Sequence, residues 1–379
     1  ADHWTLSVPI PAQAIADGVQ TLIIRDVEAN ENIGHITLIA GEALAEWMIA
    51  GHPTRELNEA DIRRFGPEMN VLGALEVRIP EVLGRHYDIS YPGLAMDTAR
   101  GQRRTPIHAA LKDADARFAG MAGWERAVHF GGEAAHLPLS FGVPAWRDQV
   151  GAEVAACRTG AAIIDQSAFG KIMVQGPDAC VFLNRICSAQ MDVPAGRIVY
   201  SQILNARGGI ESDVTVQRHG PQTYLMITGA GEVVRDLMHI RREKGAMQVE
   251  VTDVTSGWAI IGLAGAKAQE VLQKASAAPL PTLKPFGFAP VEVGLARGFV
   301  GRLSYTGQPG FELYIPAEMA IAAHEALVAA GASHAGLFAS GSLRIEAGFR
   351  AWGHELTQGT TPHEAGLEKF CAMDTDFIG

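Results

Sequence analysis

A tight reversal set between two strand-like runs constrains this chain more than any other feature. Tyr200 to Leu204 forms the first run, and Asn205 ends it. Arg207-Gly208-Gly209 then supplies the positive-φ positions that a short turn demands. The second run alternates, with Ile210, Ser212, Val214 and Val216 on one face and Glu211, Asp213 and Thr215 on the other. The pattern predicts an antiparallel hairpin with one apolar face and two carboxylates on the opposite face. By periodicity alone, that acidic face is either a solvated strand edge or part of a site.

Composition removes several classes of function. The chain has 379 residues, of which 47% are hydrophobic and 19% charged, enough for two or three domains with proper cores. Its longest apolar stretch, Ile33 to Ile49, is interrupted by His35, Glu42 and Glu46, so nothing approaches the roughly 20 apolar residues of a membrane span. A net charge of −11 disfavours nucleic acid as a partner, because phosphate binding needs a basic surface. Cys157, Cys180, Cys187 and Cys371 show no metal-ligand spacing and suggest free thiols in a reducing compartment. The histidines are scattered without metal-ligand spacing and read as structural, including the groupings His129 with His136 and His324 with His334. With no basic, apolar leader, the expected location is cytoplasmic, or the mitochondrial matrix if the source is eukaryotic.

Along the chain, Trp4 to Ile10 and Gln20 to Ile24 read as strands, and about Ile33 to Ala50 as a helix ended by Gly51-His52-Pro53. Ile36, Ile39, Ala43, Trp47 and Ile49 form the expected buried face of that helix. Pro138 to Trp146 reads as a linker. Beyond it, helices are expected over 149–159, 178–187, 231–244 and 266–274. Strands are expected over 161–165, 171–174, 223–228, 249–255 and 258–262. Short strands alternate with helices irregularly, so the fold class is α+β in a multi-domain chain.

Three motifs in order carry a family resemblance. Asn205-x-x-Gly208-Gly209-Ile210-x-x-Asp213, then Tyr305-Thr-Gly-x-x-Gly310-x-Glu312, and then Gly341-Ser-Leu-Arg344-Ile-Glu-Ala-Gly348 resemble the folate-binding module of the glycine-cleavage aminomethyltransferases. The resemblance implies tetrahydrofolate as a cofactor, with Asp213 beside its reactive nitrogen as the catalytic residue. It implies that Glu312 holds the pterin ring. Tyr200, Asn205 and Arg344 become further folate-binding candidates: Tyr200 by packing on the ligand, Asn205 by hydrogen bonding unless it serves only the turn, and Arg344 by holding an anionic or carbonyl group. Trp352 and His354 are candidate wall residues, and Glu211 has no assigned role.

The part before this module resembles the dimethylglycine and sarcosine dehydrogenases. Asn32-Ile-Gly-His-Ile36 leading to Ala45-Glu-Trp-Met-Ile-Ala-Gly51 is similar to the end of their flavin domain. Gly84-Arg-His-Tyr-Asp-Ile-Ser-Tyr-Pro92, Arg103 to His108 and Ala122 to Arg126 are similar to their small central domain. In the central segment Arg85, Tyr87, Asp88 and Arg103 serve equally well as ties between elements or as ligand contacts. The division this implies is a flavin-domain remnant over 1–65, a central domain over 66–126 and an aminomethyltransferase-like domain over 127–379, with its terminal barrel expected to be truncated. No Gly-x-Gly-x-x-Gly dinucleotide turn occurs in the sequence, so FAD is expected elsewhere in a longer protein of which this chain is a fragment.

The implied function is that of the C-terminal part of a flavin-dependent N-demethylating dehydrogenase of methylated glycines. Its folate module would capture the one-carbon unit as 5,10-methylene-tetrahydrofolate. The expected partners are a methylated amine, folate and an electron-transfer flavoprotein. A stand-alone folate-dependent aminomethyl- or methyltransferase without flavin, and a non-catalytic folate-binding regulator, are the alternatives.

Overall fold

A computed structural model describes residues 31–51, 66–85, 88–89, 91, 94–132 and 141–379. The strands expected at Trp4 to Ile10 and Gln20 to Ile24 lie outside the described residues, as do Tyr87 and residues 138–140 of the Pro138 to Trp146 linker. The chain divides into two compact units, Ala1–Asp61 and Ile62–Gly379.

In the first unit, helix α1 spans Glu31–Ala50. Gly51 ends it in the left-handed region, with φ 73°, while donating to Trp47 O at 2.8 Å. Ala43 is buried, but Ile49 is 85% exposed, so the buried face expected from the sequence does not reach the helix end.

The second unit carries helices α2 (Leu72–Gly84), α3 (His108–Asp113), α4 (Arg147–Thr159), α5 (Ala179–Ile186), α6 (Val233–Lys244), α7 (Ala268–Ala275), α8 (Ala320–Ala329) and α9 (Leu337–Glu346). Its strands run in order as β1 (Arg103–Arg104), β2 (Ala116–Met121), β3 (Trp124–Phe130), β4 (Ala162–Asp165), β5 (Gly170–Gln175), β6 (Arg197–Leu204) and β7 (Ile210–Gly220). They continue as β8 (Thr223–Thr228), β9 (Glu250–Asp253), β10 (Trp258–Ala264), β11 (Phe288–Val293), β12 (Ala296–Gly301), β13 (Gly310–Pro316) and β14 (Ser333–His334). They build three sheets: β1-β3-β2, β11-β12-β13-β10-β4-β14 and β6-β7-β8-β5-β9. This is a mixed, multi-domain α+β architecture. The helices and strands read from the sequence after residue 146 all appear, with ends moved by a few residues. The stretch read as one strand to Thr255 stops at Asp253, because Thr255–Gly257 turns into a 3-10 helix.

Strand alternation decides how the layers stack. Ile163, Ile261, Leu263, Leu313 and Ile315 point from the six-stranded sheet into a core shared with Leu272 of α7 and Leu327 of α8. Val214, Val216, Ile172 and Val174 point from the five-stranded sheet onto Phe182 and Leu183 of α5 and Ile240 of α6. Each such fully buried aliphatic side chain contributes about 1.5–3 kcal/mol. The opposite faces of the two sheets meet: Leu225 and Ile227 of β8 share a buried cluster with Ile260 of β10 and Tyr314 of β13.

Arg85 and Arg103 act as ties in this unit. Arg85 pairs with Asp97 at 2.5 Å and Glu81 at 3.2 Å. Arg103 pairs with Glu68 and lies 4.0 Å above the Trp124 ring.

Candidate functional site

The β6–β7 turn is built by one side chain. Asn205 Oδ1 accepts from Arg207 N at 2.9 Å and Gly209 N at 3.1 Å, while its Nδ2 donates to Gln358 O at 3.0 Å. The amide is therefore committed to the turn and to the chain segment beside it. Of the two glycines, only Gly208 takes a positive φ, 80°. Gly209 is required for a different reason: a Cβ there would lie 1.9 Å from Gln358 O.

Register then sets the face. Ile203 pairs with Ser212 and Leu204 with Ile210, so Glu211 is the extra residue of a bulge. Beyond it the ladder is regular, placing Asp213 opposite Gln202, Thr215 opposite Tyr200 and Gln217 opposite Ile198. Ser212, Val214 and Val216 are buried on the other face, as the sequence alternation requires, but the bulge removes Ile210 from that face: it packs with Leu204, Leu356 and Tyr200 instead.

Asp213 therefore lies on the face that meets the six-stranded sheet, where β13 presents Glu312 and Tyr314. Glu312 lies opposite Gly262 of β10 on one side and Gly301 of β12 on the other. Neither neighbour has a side chain, and other side chains fill the space instead: a Cβ on Gly262 would lie 2.8 Å from Gln166 Oε1, and one on Gly301 would lie 2.8 Å from Ile198 Cδ1 and Leu303 Cδ2. The Tyr314 hydroxyl donates to Glu312 Oε2.

Both carboxylates are held neutral more readily than usual. Burial pushes Asp213 up to about 6, and hydrogen bonds from Tyr200 and Gln202 offset only part of that. Gln202 Nε2 donates to Asp213 Oδ1 at 3.2 Å. Burial likewise pushes Glu312 up to about 7 against the Tyr314 hydrogen bond, and Glu312 is 9% exposed. The Tyr200 hydroxyl is raised by burial and then by Asp213. Tyr305 is pushed up to about 12 by burial, with Arg344 pulling it down and Asp213 pushing it up. Tyr200, Tyr305 and Asp213 thus share one electrostatic environment.

Two glutamine oxygens in this region lack partners. Gln202 Oε1 and Gln166 Oε1 are buried and unpaired. Gln166 is next to Glu312's neighbour, since a Cβ on Gly262 would lie 2.8 Å from Gln166 Oε1. Unpaired buried acceptors cost about 1–3 kcal/mol each, which a ligand bearing N–H groups would recover.

Arg344, on α9, is 7% exposed and donates to Phe349 O at 3.1 Å and Glu355 Oε2 at 2.6 Å. It pins the loop over 349–355, in which Tyr305 donates to Arg350 O. Tyr200 packs edge-on against Phe370, with ring centroids 4.8 Å apart. Trp352 donates to Ile210 O at 3.0 Å and carries the Arg235 guanidinium 3.9 Å above its ring, while His354 is exposed. Glu211 accepts from Gln358 Nε2 at 2.6 Å. The structure thus brings Asp213 and Tyr200 together and sets Glu312 on the sheet face packed against theirs. It gives Asn205 to the turn and Arg344 to the adjoining loop.

Gln202, Gln166, Gly262 and Gly301 were missed by sequence reasoning. Gln202 was within reach, since alternation from Tyr200 already places it on the Asp213 face. Gln166, Gly262 and Gly301 become neighbours of Glu312 only through pairings distant in sequence.

Among the described residues no group of three or more His, Cys, Asp or Glu side chains could hold a metal ion. His324 and His334 nevertheless meet, Nε2 to Nε2, at 2.9 Å. All four cysteines are free, Cys157 and Cys187 being buried. No helix among the described residues is long and apolar enough to cross a membrane.

Comparison with known proteins bears on the family and the fold. The family model described as GCVT N-terminal domain matches residues 107–375, and the one described as FAD dependent oxidoreductase central domain matches 50–105. The chain is 35% identical to 4-methylaminobutanoate oxidase (formaldehyde-forming) of Paenarthrobacter nicotinovorans, over 88% of this chain and 42% of that protein. It is 31% identical to human mitochondrial dimethylglycine dehydrogenase, over 89% of this chain and 40% of that protein. It therefore spans about two fifths of the length of these curated relatives. The crystal structure of glycine cleavage system aminomethyltransferase T from Bartonella henselae superposes with a TM-score of 0.63 at 26% identity, covering 73% of this chain and 72% of that one. The chain belongs to the GCVT N-terminal domain family, and it joins that domain to the central domain of FAD-dependent oxidoreductases.

Proposed function

We propose that the chain is the C-terminal part of a flavin-dependent N-demethylating dehydrogenase of a methylated glycine, and that it binds tetrahydrofolate between its two large sheets. The product of its module is 5,10-methylene-tetrahydrofolate. The observation that carries this reading is the pair of carboxylates, half-buried Asp213 and buried Glu312, on sheet faces that pack together, each with its proton held near neutral pH.

The residues suit a reduced pterin. Glu312 offers two oxygens to paired N–H donors, with Gln166 standing over the adjacent Gly262. The unpaired oxygens of Gln202 and Gln166 add acceptors. When bound, tetrahydrofolate supplies the two ring-linked nitrogens that accept a one-carbon unit. Asp213, largely ionised above pH 6, is set to take a proton from a group brought against it, a contribution of about 10²–10⁴ in rate. Gln202 and Tyr200 orient its carboxylate, while Arg344 steadies the loop that holds Tyr305.

The sequence has no Gly-x-Gly-x-x-Gly turn, so no step is assigned to flavin in this chain. On the same reading, residues 1–65 close a flavin domain, 66–126 form the central domain and 127–379 the folate domain. A methylated amine and an electron-transfer flavoprotein are the partners of the whole protein, in the cytoplasm or the mitochondrial matrix.

Calorimetric titration of the chain with tetrahydrofolate, beside Glu312→Gln, tests the proposal. Saturable binding weakened tenfold or more by the substitution supports it. Absence of binding, or equal binding by both proteins, rejects it.

A further inference from the structure

Arg235 of α6 is the largest fully buried side chain among the described residues, 1% exposed. Arginine is almost never buried to that degree unless paired, and a buried ion pair adds little net stability over apolar residues of the same volume. The partners of this guanidinium lie on the strand that carries Asp213.

The β7–β8 ladder begins at the Thr215–Ile227 pair, so upstream of it β7 has no strand on its β8 side. Side chains take over there. Trp352 Nε1 donates to Ile210 O at 3.0 Å, and Arg235 Nη2 donates to Glu211 O at the bulge. One residue further on, Ser212 Oγ donates to Asp236 Oδ2 at 2.7 Å, and Thr228 Oγ1 donates to the same oxygen from the end of β8. These holding groups are joined to one another. Arg235 lies 3.9 Å above the Trp352 ring, its Nη2 is 3.2 Å from Asp236 Oδ1, and its Nη1 is 3.2 Å from Glu232 Oε2. One buried cluster thus fixes Ile210, Glu211 and Ser212, the residues that lead directly into Asp213.

A carbonyl left outside the ladder needs a donor. A planar guanidinium supplies one while stacking on an indole and pairing with a carboxylate, a combination that the compact ammonium of lysine does not reproduce. The position of Glu211 then decides that of Asp213, because side chains change face at every residue and a slip at the bulge turns the carboxylate away from Gln202. We propose that Arg235 is a positioning residue for Asp213. By holding Glu211 O against α6 it fixes the bulge in the register that sets Asp213 beside Gln202, with Trp352 and Asp236 as its supports. This inference rests on the folate reading, in which Asp213 handles the proton.

The test compares Arg235→Lys and Trp352→Phe with the parent in the full-length protein. Lysine keeps a positive charge opposite Asp236 and Glu232, and phenylalanine keeps an aromatic ring beneath the guanidinium while removing the donor to Ile210 O. Each variant is expected to bind tetrahydrofolate within about twofold of the parent in calorimetry, yet to transfer the one-carbon unit about tenfold or more slowly at saturating folate, because a small misplacement of a reacting group costs rate and not affinity. A residue that served only the stability of the fold would not separate the two quantities.

The pH profile is the second readout. Tyr200 and Tyr305 beside Asp213 are both raised by burial and do not ionise near neutral pH, while Glu312, near 7, is common to all the variants. In Arg235→Lys the rise in activity that accompanies ionisation of Asp213, near 6 in the parent, is expected at higher pH, since a displaced carboxylate loses the Gln202 donor that favours its charged form. The Asp213→Asn profile, which retains Glu312, is the reference. A parent-like rate with an unmoved profile in Arg235→Lys overturns the proposal and leaves the folate reading intact. Affinity that falls as far as the rate also overturns it, since the cluster would then serve binding or folding. Should Arg235→Lys fail to fold, Trp352→Phe decides by the same two readouts. A parent that binds no tetrahydrofolate rejects the folate reading and this role together.

Discussion

Gln202 lies directly across the β6–β7 ladder from Asp213 and donates its amide hydrogen to that carboxylate at 3.2 Å, while its own carbonyl oxygen stays buried without a partner. One side chain therefore fixes the carboxylate that would do the chemistry and keeps an acceptor in reserve. The bulge at Glu211 makes this possible. It brings the strand back into register after the Asn205 turn, so that Asp213 and not Ser212 faces the opposing sheet.

Asp213→Asn is expected to lower one-carbon transfer in the full-length protein by about 10²–10⁴, with a much smaller effect on tetrahydrofolate affinity. The pH profile is the sharper readout. Since Asp213 ionises near 6, activity of the parent should climb as pH rises through that value, and the Asn variant should lose the climb. Gln202→Leu removes a hydrogen bond that favours the charged form, so the climb should move to higher pH. Steady-state rates between pH 5 and 8 decide the matter, and an unchanged profile in Asp213→Asn would remove Asp213 from the chemistry.

Glu312→Gln should do two opposite things. It should weaken folate binding at least tenfold, because a carboxylate accepting two N–H groups becomes an amide that cannot. It should also stabilise the unliganded protein at neutral pH. The sign follows from burial: Glu312 titrates near 7 when folded and near 4.5 otherwise, so the folded state holds more protons in that window and stability falls as pH rises through it. Removing the group removes that loss, worth about 1–3 kcal/mol. Thermal unfolding at pH 5 and pH 8 should show the variant gaining on the parent only at the higher pH.

The fold was largely legible because its elements are locally encoded. The Asn205 turn, the alternation from Ser212 to Val216, and the helix starting after Gly176-Pro177 each follow from a few adjacent residues, whereas the bulge at Glu211, which takes Ile210 off that face, does not. The site was legible in its carboxylates, Asp213 and Glu312, only through resemblance. Their alternating strands alone are equally consistent with a solvated edge. Gln166 escaped notice because it approaches Gly262 through the β4–β10 pairing, whose partners are about a hundred residues apart. Asn205 and Arg344 show the converse, since a turn amide and a loop-pinning guanidinium occupy motif positions close to the site. The buried face expected for α1 failed at Ile49, because periodicity continues to the end of a helix whether or not anything covers its last turn.

Gly262→Ala tests whether the close approach of Gln166 beside Glu312 matters. The added methyl would stand 2.8 Å from Gln166 Oε1 and 3.3 Å from Ile164 O. Gln166 Oε1, an acceptor assigned to the pterin, must move away. Stability is expected to fall by about 1–3 kcal/mol, the usual range for overpacking. Tetrahydrofolate affinity is expected to fall beyond what that loss explains, as measured well below the unfolding temperature. Unchanged affinity would mean that the ligand does not approach this strand pair.

Lys171→Met carries the last prediction. Burial pulls the Lys171 ammonium down to about 7, with Asp165 and Asp253 pulling the other way. A lysine that titrates near 7 when folded and near 10.5 when unfolded makes the unfolded state bind more protons between those values, so its contribution to stability improves as pH rises from 7 toward 10. The methionine variant loses that slope. It also leaves Ser167 O and Trp258 O without their donor, a cost of about 1–3 kcal/mol for each carbonyl that water cannot reach. The variant should therefore be less stable than the parent, by a margin that widens as pH rises from 7 to 10. Denaturant melts at the two pH values measure this. A constant margin would show that Lys171 keeps its ordinary protonation inside the fold.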